Sequence, residues 1–448
     1  MAGLYTPRVM RRMVAAAAVV AALAARHSPG RARGAESPAP QATFVVERSS
    51  EAIATVRAAC EQCDWGATGR EAAALRVSVD GRYRTHVMLT QGDREADYQV
   101  LLGRYGGGSH RVTVDVDPSQ SSPQVGAVRV ARVDVTVVGS RNPGFEALAH
   151  APILHARPNT IGHFTDVPLL MWYEATPTPH GRSYRYSVVF SNEDGGTATD
   201  RLMATWGRTT DIEFVYGIEI DEAGRLVSEE FQGPNHVMTP FRGRHEASHP
   251  LEWTVTDNNM VSDHGTTTMR YAPAPERFDL TDVSREVVMD AHPWTYRVST
   301  QEMMREGKIA VDPPPGSGTI PDPHRYVFVE ACSELAGVRL SFGVHATTAQ
   351  GAQWFDSDRG RDEFRIVRSG CFRGAVPLPA GASAPDAIRF RAWPQPDGKE
   401  RDPAVRVTRV NRVFTLGDDF LPKPSTFQWM GSLSLTLDGS PRELSFLR

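Results

Sequence analysis

Lysine is almost missing from this chain: of 49 basic residues only Lys308, Lys399 and Lys423 are lysines, an arginine preference read here as codon bias. Long apolar runs are missing too. After Ala25 no stretch approaches the roughly 20 residues that a membrane-spanning helix needs, and no cysteine follows the first apolar run where a lipid could be attached. A second span and a lipid anchor are therefore not expected. Helical periodicity is also scarce. Gly-x-Ser-x-Gly is absent, and no helix start follows Gly106-Gly107-Gly108, so neither a serine-hydrolase elbow nor a phosphate cradle is supported. A positive balance is absent as well. The formal charge is −4, and a basic surface for nucleic acid is disfavoured.

What the chain does have begins with its leader. Arg8, Arg11 and Arg12 precede the uncharged run Met13 to Ala25, a secretory-signal pattern too short to anchor comfortably. Ala22 with Ala24, or Ala32 with Gly34, offers the small-residue pair for cleavage. Residues 1–34 hold six arginines and no acid, so their removal takes the charge to −10. The expected location is extracytoplasmic, periplasmic or secreted, with no stable membrane span after cleavage. Cys60, Cys63, Cys332 and Cys371 are an even set in a chain bound for an oxidising compartment, where disulfides are favoured. Pairing Cys60 with Cys63 and Cys332 with Cys371 keeps each bridge local.

Beyond a Pro/Ala/Ser/Gly-rich linker at 35–43, the pattern has period two. Leu75, Val77 and Val79 alternate with polar residues, and Asp80-Gly81 offers the positive φ angles of a tight hairpin turn into Tyr83 to Leu89. Val112/Val114/Val116 and Val133/Val135/Val137 continue it, as do Val338 to Val344 and Leu433 to Leu437 near the other end. The expected fold is mainly β and multi-domain: an N-terminal immunoglobulin-like sandwich (44–142), a β-rich middle domain (143–310) and a C-terminal sandwich or jelly-roll-like domain (311–448). The best helix candidate is Thr300 to Lys308, with Ser299 and Glu302 at capping-box spacing and Gly307 as its stop.

Nine of the fourteen histidines, with Trp172, Trp206, Trp253 and Trp294, fall between His150 and Trp294. The middle domain is where a site is expected. Glu174 ends the run Val167 to Tyr173, where burial would raise a carboxyl toward the range of a general acid. Asp211 and Glu213 alternate with apolar residues on a second strand, and next-nearest positions about 6.6 Å apart let two carboxylates act together. Trp172, Tyr173 and Trp206 offer flat rings for sugar faces, and Arg208 a donor for hydroxyls. The leading expectation is thus a glycan-directed protein that binds polysaccharide and hydrolyses it with Glu174 as acid and Asp211 or Glu213 as partner.

Two alternatives belong to other classes. One is a non-catalytic surface or adhesion module that binds calcium, with Asp194 in the loop Asn192 to Thr197 and with Asp263 and His264 as oxygen- and nitrogen-bearing candidates. The other is a zinc peptidase, from the string His245-Glu246-Ala247-Ser248-His249. That pattern needs a helix to bring both histidines to one face, and Gly243 before it and Pro250 after it argue against one.

Overall fold

The computed structural model describes residues 40–158, 160–193 and 195–446. The expected leader, most of the linker and Asp194 lie outside them. The fold is mainly β, built from separate sheets that pack as sandwiches. In the first segment the strands are β1 (Gln41–Val46), β2 (Ser50–Cys60), β3 (Ala74–Val79), β4 (Arg82–Met88), β5 (Ala96–Tyr105), β6 (Gly108–Val116) and β7 (Val128–Gly139). They form a four-stranded sheet, β1-β6-β3-β4, facing a three-stranded one, β5-β2-β7. Alternate residues of both sheets, among them Val56, Leu75, Val77, Leu102 and Val112, close the core between them. The β3–β4 hairpin turns at Asp80 (φ 50°) and Gly81 (φ 75°), the left-handed pair that the two-residue loop requires.

The middle segment adds α1 (Phe145–Ala149), β8 (Ile153–His155), β9 (Pro168–Pro177), β10 (Gly181–Phe190), α2 (Thr199–Trp206), β11 (Ile212–Asp221), β12 (Leu226–Gly233) and β13 (Val237–Pro240). Short strands follow: β14 (His245–Glu246), β15 (His249–Thr254), β16 (Val261–Ser262), β17 (Arg270–Tyr271) and β18 (Pro275–Arg277). A six-stranded sheet, β13-β12-β11-β10-β9-β18, and a smaller one, β14-β15-β8-β17 with β16 beside β15, share a tyrosine-rich core of Tyr173, Tyr184, Tyr186 and Tyr216. Two helices come next, α3 (Val287–Ala291) and α4 (Trp294–Arg305). The latter begins six residues before the position expected from the capping box. Pro293 opens it, its fixed φ being suited to a helix start, and Ser299 lies inside, donating back to the Tyr296 carbonyl.

The last segment comprises β19 (Tyr326–Ala336), β20 (Val338–Thr348), β21 (Gly351–Asp356), β22 (Gly370–Pro377), β23 (Ala387–Pro394), β24 (Ala404–Phe414), β25 (Phe427–Ser434) and β26 (Arg442–Ser445). Sheets β22-β19-β24-β25 and β21-β20-β23-β26 pack face to face over Val329, Leu340, Phe342, Phe390 and Val407. Both disulfides take the local pairing, Cys60–Cys63 and Cys332–Cys371. The second joins residues directly opposite each other on β19 and β22.

Two buried polar contacts tie the segments together through α4 and α3. Trp65, beside the first disulfide, donates its indole N–H to Glu302 at 2.8 Å. On the other side, the fully buried Arg373 of β22 reaches Asp290 at 2.6 Å and also binds Glu330. Each charge is tolerable only because its partner is present. Arg373→Met is therefore expected to lower stability by about 3–5 kcal/mol, read as a shift of the urea unfolding midpoint, because Glu330 stays buried without its cation. A midpoint unchanged from wild type would show that this network does not hold the last sandwich in place.

Candidate functional site, an arginine-lined cleft

Where β4 of the first sandwich meets the small sheet of the middle segment, the surface opens into a cleft of about 740 Å³. Five arginines line it: Arg82, Arg84, Arg104, Arg244 and Arg270. Tyr83, His155, His249, Trp253 and a run of threonines, Thr266 to Thr268, complete the wall. The carboxylate of Glu246 bridges two of the cations, accepting from Arg84 at 2.5 Å and from Arg270 at 2.8 Å. Burial pushes the Glu246 carboxyl up, but the bond from Arg270 and the charges of Arg270 and Arg84 outweigh it and leave its pKa lowered. Arg104 is held by the fully buried Glu51 at 2.7 Å. Arg82 and Arg244 are exposed, and among the described residues neither has a carboxylate partner.

The histidine pair of the peptidase-like string sits in this cleft wall, with a geometry unlike that of a metal site. His245–Glu246 and His249–Thr254 form a two-residue hairpin whose turn passes through Ala247 at φ 56°. Glu246 faces His249 across the ladder. Flanking Gly243 and Pro250 favour this extended path over a helix, so the two imidazoles go to different partners. His245 contacts Glu229 at 3.0 Å, while His249 lies between Glu51 at 3.0 Å and the Ala151 carbonyl at 3.0 Å. Among the described residues, no group of three or more His, Cys, Asp or Glu side chains is arranged to hold a metal ion. Asp263, a candidate calcium ligand, instead accepts from the Arg242 backbone N–H and from the exposed His264.

Trp253 lines the cleft together with Tyr83, yet it is buried. His155 stacks on one side with ring centroids 4.4 Å apart. The chain also passes close to the indole at Gly265, where an added Cβ would fall 2.2 Å from the Trp253 ring. Only glycine fits so close an approach. The His155 Nδ1 bonds to the Thr267 carbonyl at 2.8 Å, and burial lowers the imidazole pKa to about 4, so the ring is neutral at pH 7.

The carboxylates expected to be catalytic lie elsewhere. Glu174 is half-buried on β9 opposite Arg185, and burial raises its pKa, with Arg185 opposing. Glu213 on β11 is opposite Val188, so β10 separates it from Glu174 and the two are three positions apart in register. That is about 10 Å along the strands and about 10 Å across them, wider than the roughly 5–9.5 Å spanned by the acid pairs of glycoside hydrolases. Trp172 and Tyr173 are core residues, the first packed with Val189, Ile212 and Met289 and the second against Tyr184 and Tyr186. Neither has a ring face free for a sugar. Arg208 is buried, with Nε 3.2 Å from Glu286, and Trp206 is half-buried beneath the Arg368 guanidinium at 4.9 Å.

Asp211 and Glu213 do come together, and Glu193 joins them. All three are buried, and burial is the main cause of a raised pKa at each; the Asp211 charge adds to it at Glu193 and Glu213, whereas Arg208 opposes it. Asn259 donates to Asp211 at 3.0 Å. Reading the alternation on β11 marks these acids, but not that both faces of the strand are covered. The cleft arginines have a signal of their own in the sequence, the clusters Arg82-Tyr83-Arg84 and Arg242-Gly243-Arg244.

The chain matches no protein-family model, and no curated protein matches its sequence.

A carboxyl whose pKa is raised by folding contributes stability below its unfolded value near pH 4–4.5 and loses it as pH climbs toward the folded value. Glu213→Gln, which keeps the shape of the protonated form, should accordingly raise the melting temperature by several degrees at pH 8 and leave it nearly unchanged at pH 4. Thermal unfolding followed by circular dichroism at both pH values checks this, and an equal effect at the two would refute the burial of a protonated acid.

Proposed function

We propose that this chain is an exported protein that binds acidic polysaccharide, through uronate or sulfate groups, in the arginine-lined cleft. The observation that carries the reading is the convergence of five guanidinium groups on one concave surface of a chain whose net charge is −4. Like charges gathered against their mutual repulsion favour an anionic occupant. Guanidinium groups bind carboxylates and sulfates in a planar two-point fashion, and the cleft wall adds the exposed Thr266 and Thr268, whose hydroxyls suit a polyhydroxylated chain. A volume of about 740 Å³ admits a few sugar rings and leaves the cleft open for the chain to continue.

Export is supported by the leader pattern and by the two disulfides, which persist outside the reducing cytoplasm. Among the described residues no helix is long and apolar enough to cross a membrane.

Binding is tested by affinity electrophoresis and calorimetry against uronate-rich, sulfated and neutral polysaccharides, with duplex DNA as a non-glycan polyanion. Acidic polysaccharides are expected to bind, neutral ones not, and affinity should fall as salt screens the charges. Replacing the two unpaired cations, Arg82→Ser with Arg244→Ser, should weaken binding at least tenfold without altering the melting temperature. Equal binding of neutral glycans, a preference for DNA, or an unaffected double variant would each overturn the reading.

A further inference from the structure

Tyr83 stands in the cleft wall between Arg82 and Arg84 in sequence, and its hydroxyl is the first member of a three-residue relay. The Tyr83 hydroxyl is 2.6 Å from His86 Nδ1, and His86 Nε2 is 3.1 Å from Asp117. Asp117 accepts the Nε2 proton, which leaves Nδ1 as the acceptor for the phenol. This is the nucleophile–base–orienter arrangement in its general form. Two further contacts favour negative charge on the phenol oxygen: the Arg270 backbone N–H donates to it at 2.8 Å, and the Arg76 guanidinium lies 4.5 Å from the ring centroid.

The relay exists because of a β-bulge. On β3 and β4, Val77 faces Thr85 but Ser78 faces Tyr83, so Arg84 is the extra residue. Without it, Tyr83 and His86, three apart, would point to opposite faces of the sheet. With it, Tyr83 shares the face of His86 and Arg76, and Arg84 is turned toward Glu246. Burial raises the Tyr83 phenol to about 12, so it rests as a neutral hydroxyl. Burial also lowers the His86 imidazole, with Asp117 opposing, so the ring rests neutral with its lone pair available.

Building on the reading of the cleft as an acidic-glycan site, we propose that Tyr83 is a catalytic base that cleaves 4-linked uronate polysaccharide by β-elimination, with His86 and Asp117 as positioning residues. The arginines neutralise the uronate carboxylate and make its α-hydrogen, at C5, more acidic. The Tyr83 oxygen takes that proton as its own passes to His86 Nδ1. The electron pair left at C5 forms the C4–C5 double bond, the C4–O4 bond breaks, and the departing O4 takes a proton from solvent. His86 then returns its proton to Tyr83 as Tyr83 releases the other to solvent, so no water is added and nothing is oxidised or reduced.

The test incubates the mature protein with polygalacturonate, alginate and polyglucuronate and follows the ultraviolet absorbance of the conjugated unsaturated end. Absorbance is expected to grow with chain cleavage, and Tyr83→Phe should bind within about twofold of wild type while losing at least a hundredfold in rate. Asp117→Asn gives a second readout. The groups facing His86 are Asp117, Arg76 and Tyr83, with Asp97, Glu276 and His292 across the small cavity beside it. Loss of the Asp117 charge should move the acidic limb of the pH–rate profile to lower pH, an effect that mere loss of folding does not produce. Binding without unsaturated product in the wild type, saturated hydrolysis products, or full activity in Tyr83→Phe would overturn this proposal and leave the cleft reading intact. Failure of every acidic polysaccharide to bind would overturn both.

Discussion

The cleft depends on one carboxylate holding two cations from different parts of the chain. Glu246, on the hairpin of the middle segment, binds Arg84 from the first sandwich and Arg270 from β17. Five guanidinium groups around one concavity repel each other, and repulsion inside a partly desolvated space is stronger than in water. The bridge fixes two of them as part of the wall, and Glu51 fixes a third from beneath. What is left over, Arg82 and Arg244, is the charge offered to a ligand. Structural and ligand-facing roles are thus divided among residues of one type by which of them has a carboxylate.

A second electrostatic centre works in the opposite sense. Glu193, Asp211 and Glu213 are buried together, where burial favours their protonated forms. Carboxyls raised in this way hold their protons to higher pH than exposed ones, and β11, which carries Glu213, is covered on both faces. The cleft gathers guanidinium groups around an open space; the buried trio gathers acids whose protonated forms burial favours, with Arg208 opposing. The same segment of sequence supplies members of both, which is why composition alone drew attention to this segment without separating the two.

Much of the architecture was legible because period-two alternation states directly which residues face a core. The Asp80-Gly81 turn, the strands around Val112 and Val338, and the local pairing of the cysteines follow from rules that act over a few residues. The start of α4 was missed because Pro293 outweighs a capping-box spacing that here falls inside the helix. The site was less legible for a different reason. Arg82, Arg104, Arg244 and Arg270 are brought together only by the packing of β4 and β5 against the small sheet, and local clusters such as Arg82-Tyr83-Arg84 do not tell which others they meet. Reading the abundance of arginine as codon bias removed the one compositional clue. The acids of β9 and β11 had the right chemistry and the wrong separation, since strand order decides distance and a single sequence does not print it.

The inserted Arg84 has an effect beyond the direction of neighbouring side chains. β4 is the outermost strand of its sheet, and its second half, Thr85 to Met88, is buried beside β17, where Thr85 bonds the Arg270 carbonyl and the Ala272 N–H. A bulge breaks the regular spacing of donors and acceptors along the strand and increases its local twist. One extra residue therefore decides how the end of this sheet meets the middle segment, sending Tyr83 to the Arg270 backbone and Arg84 to Glu246.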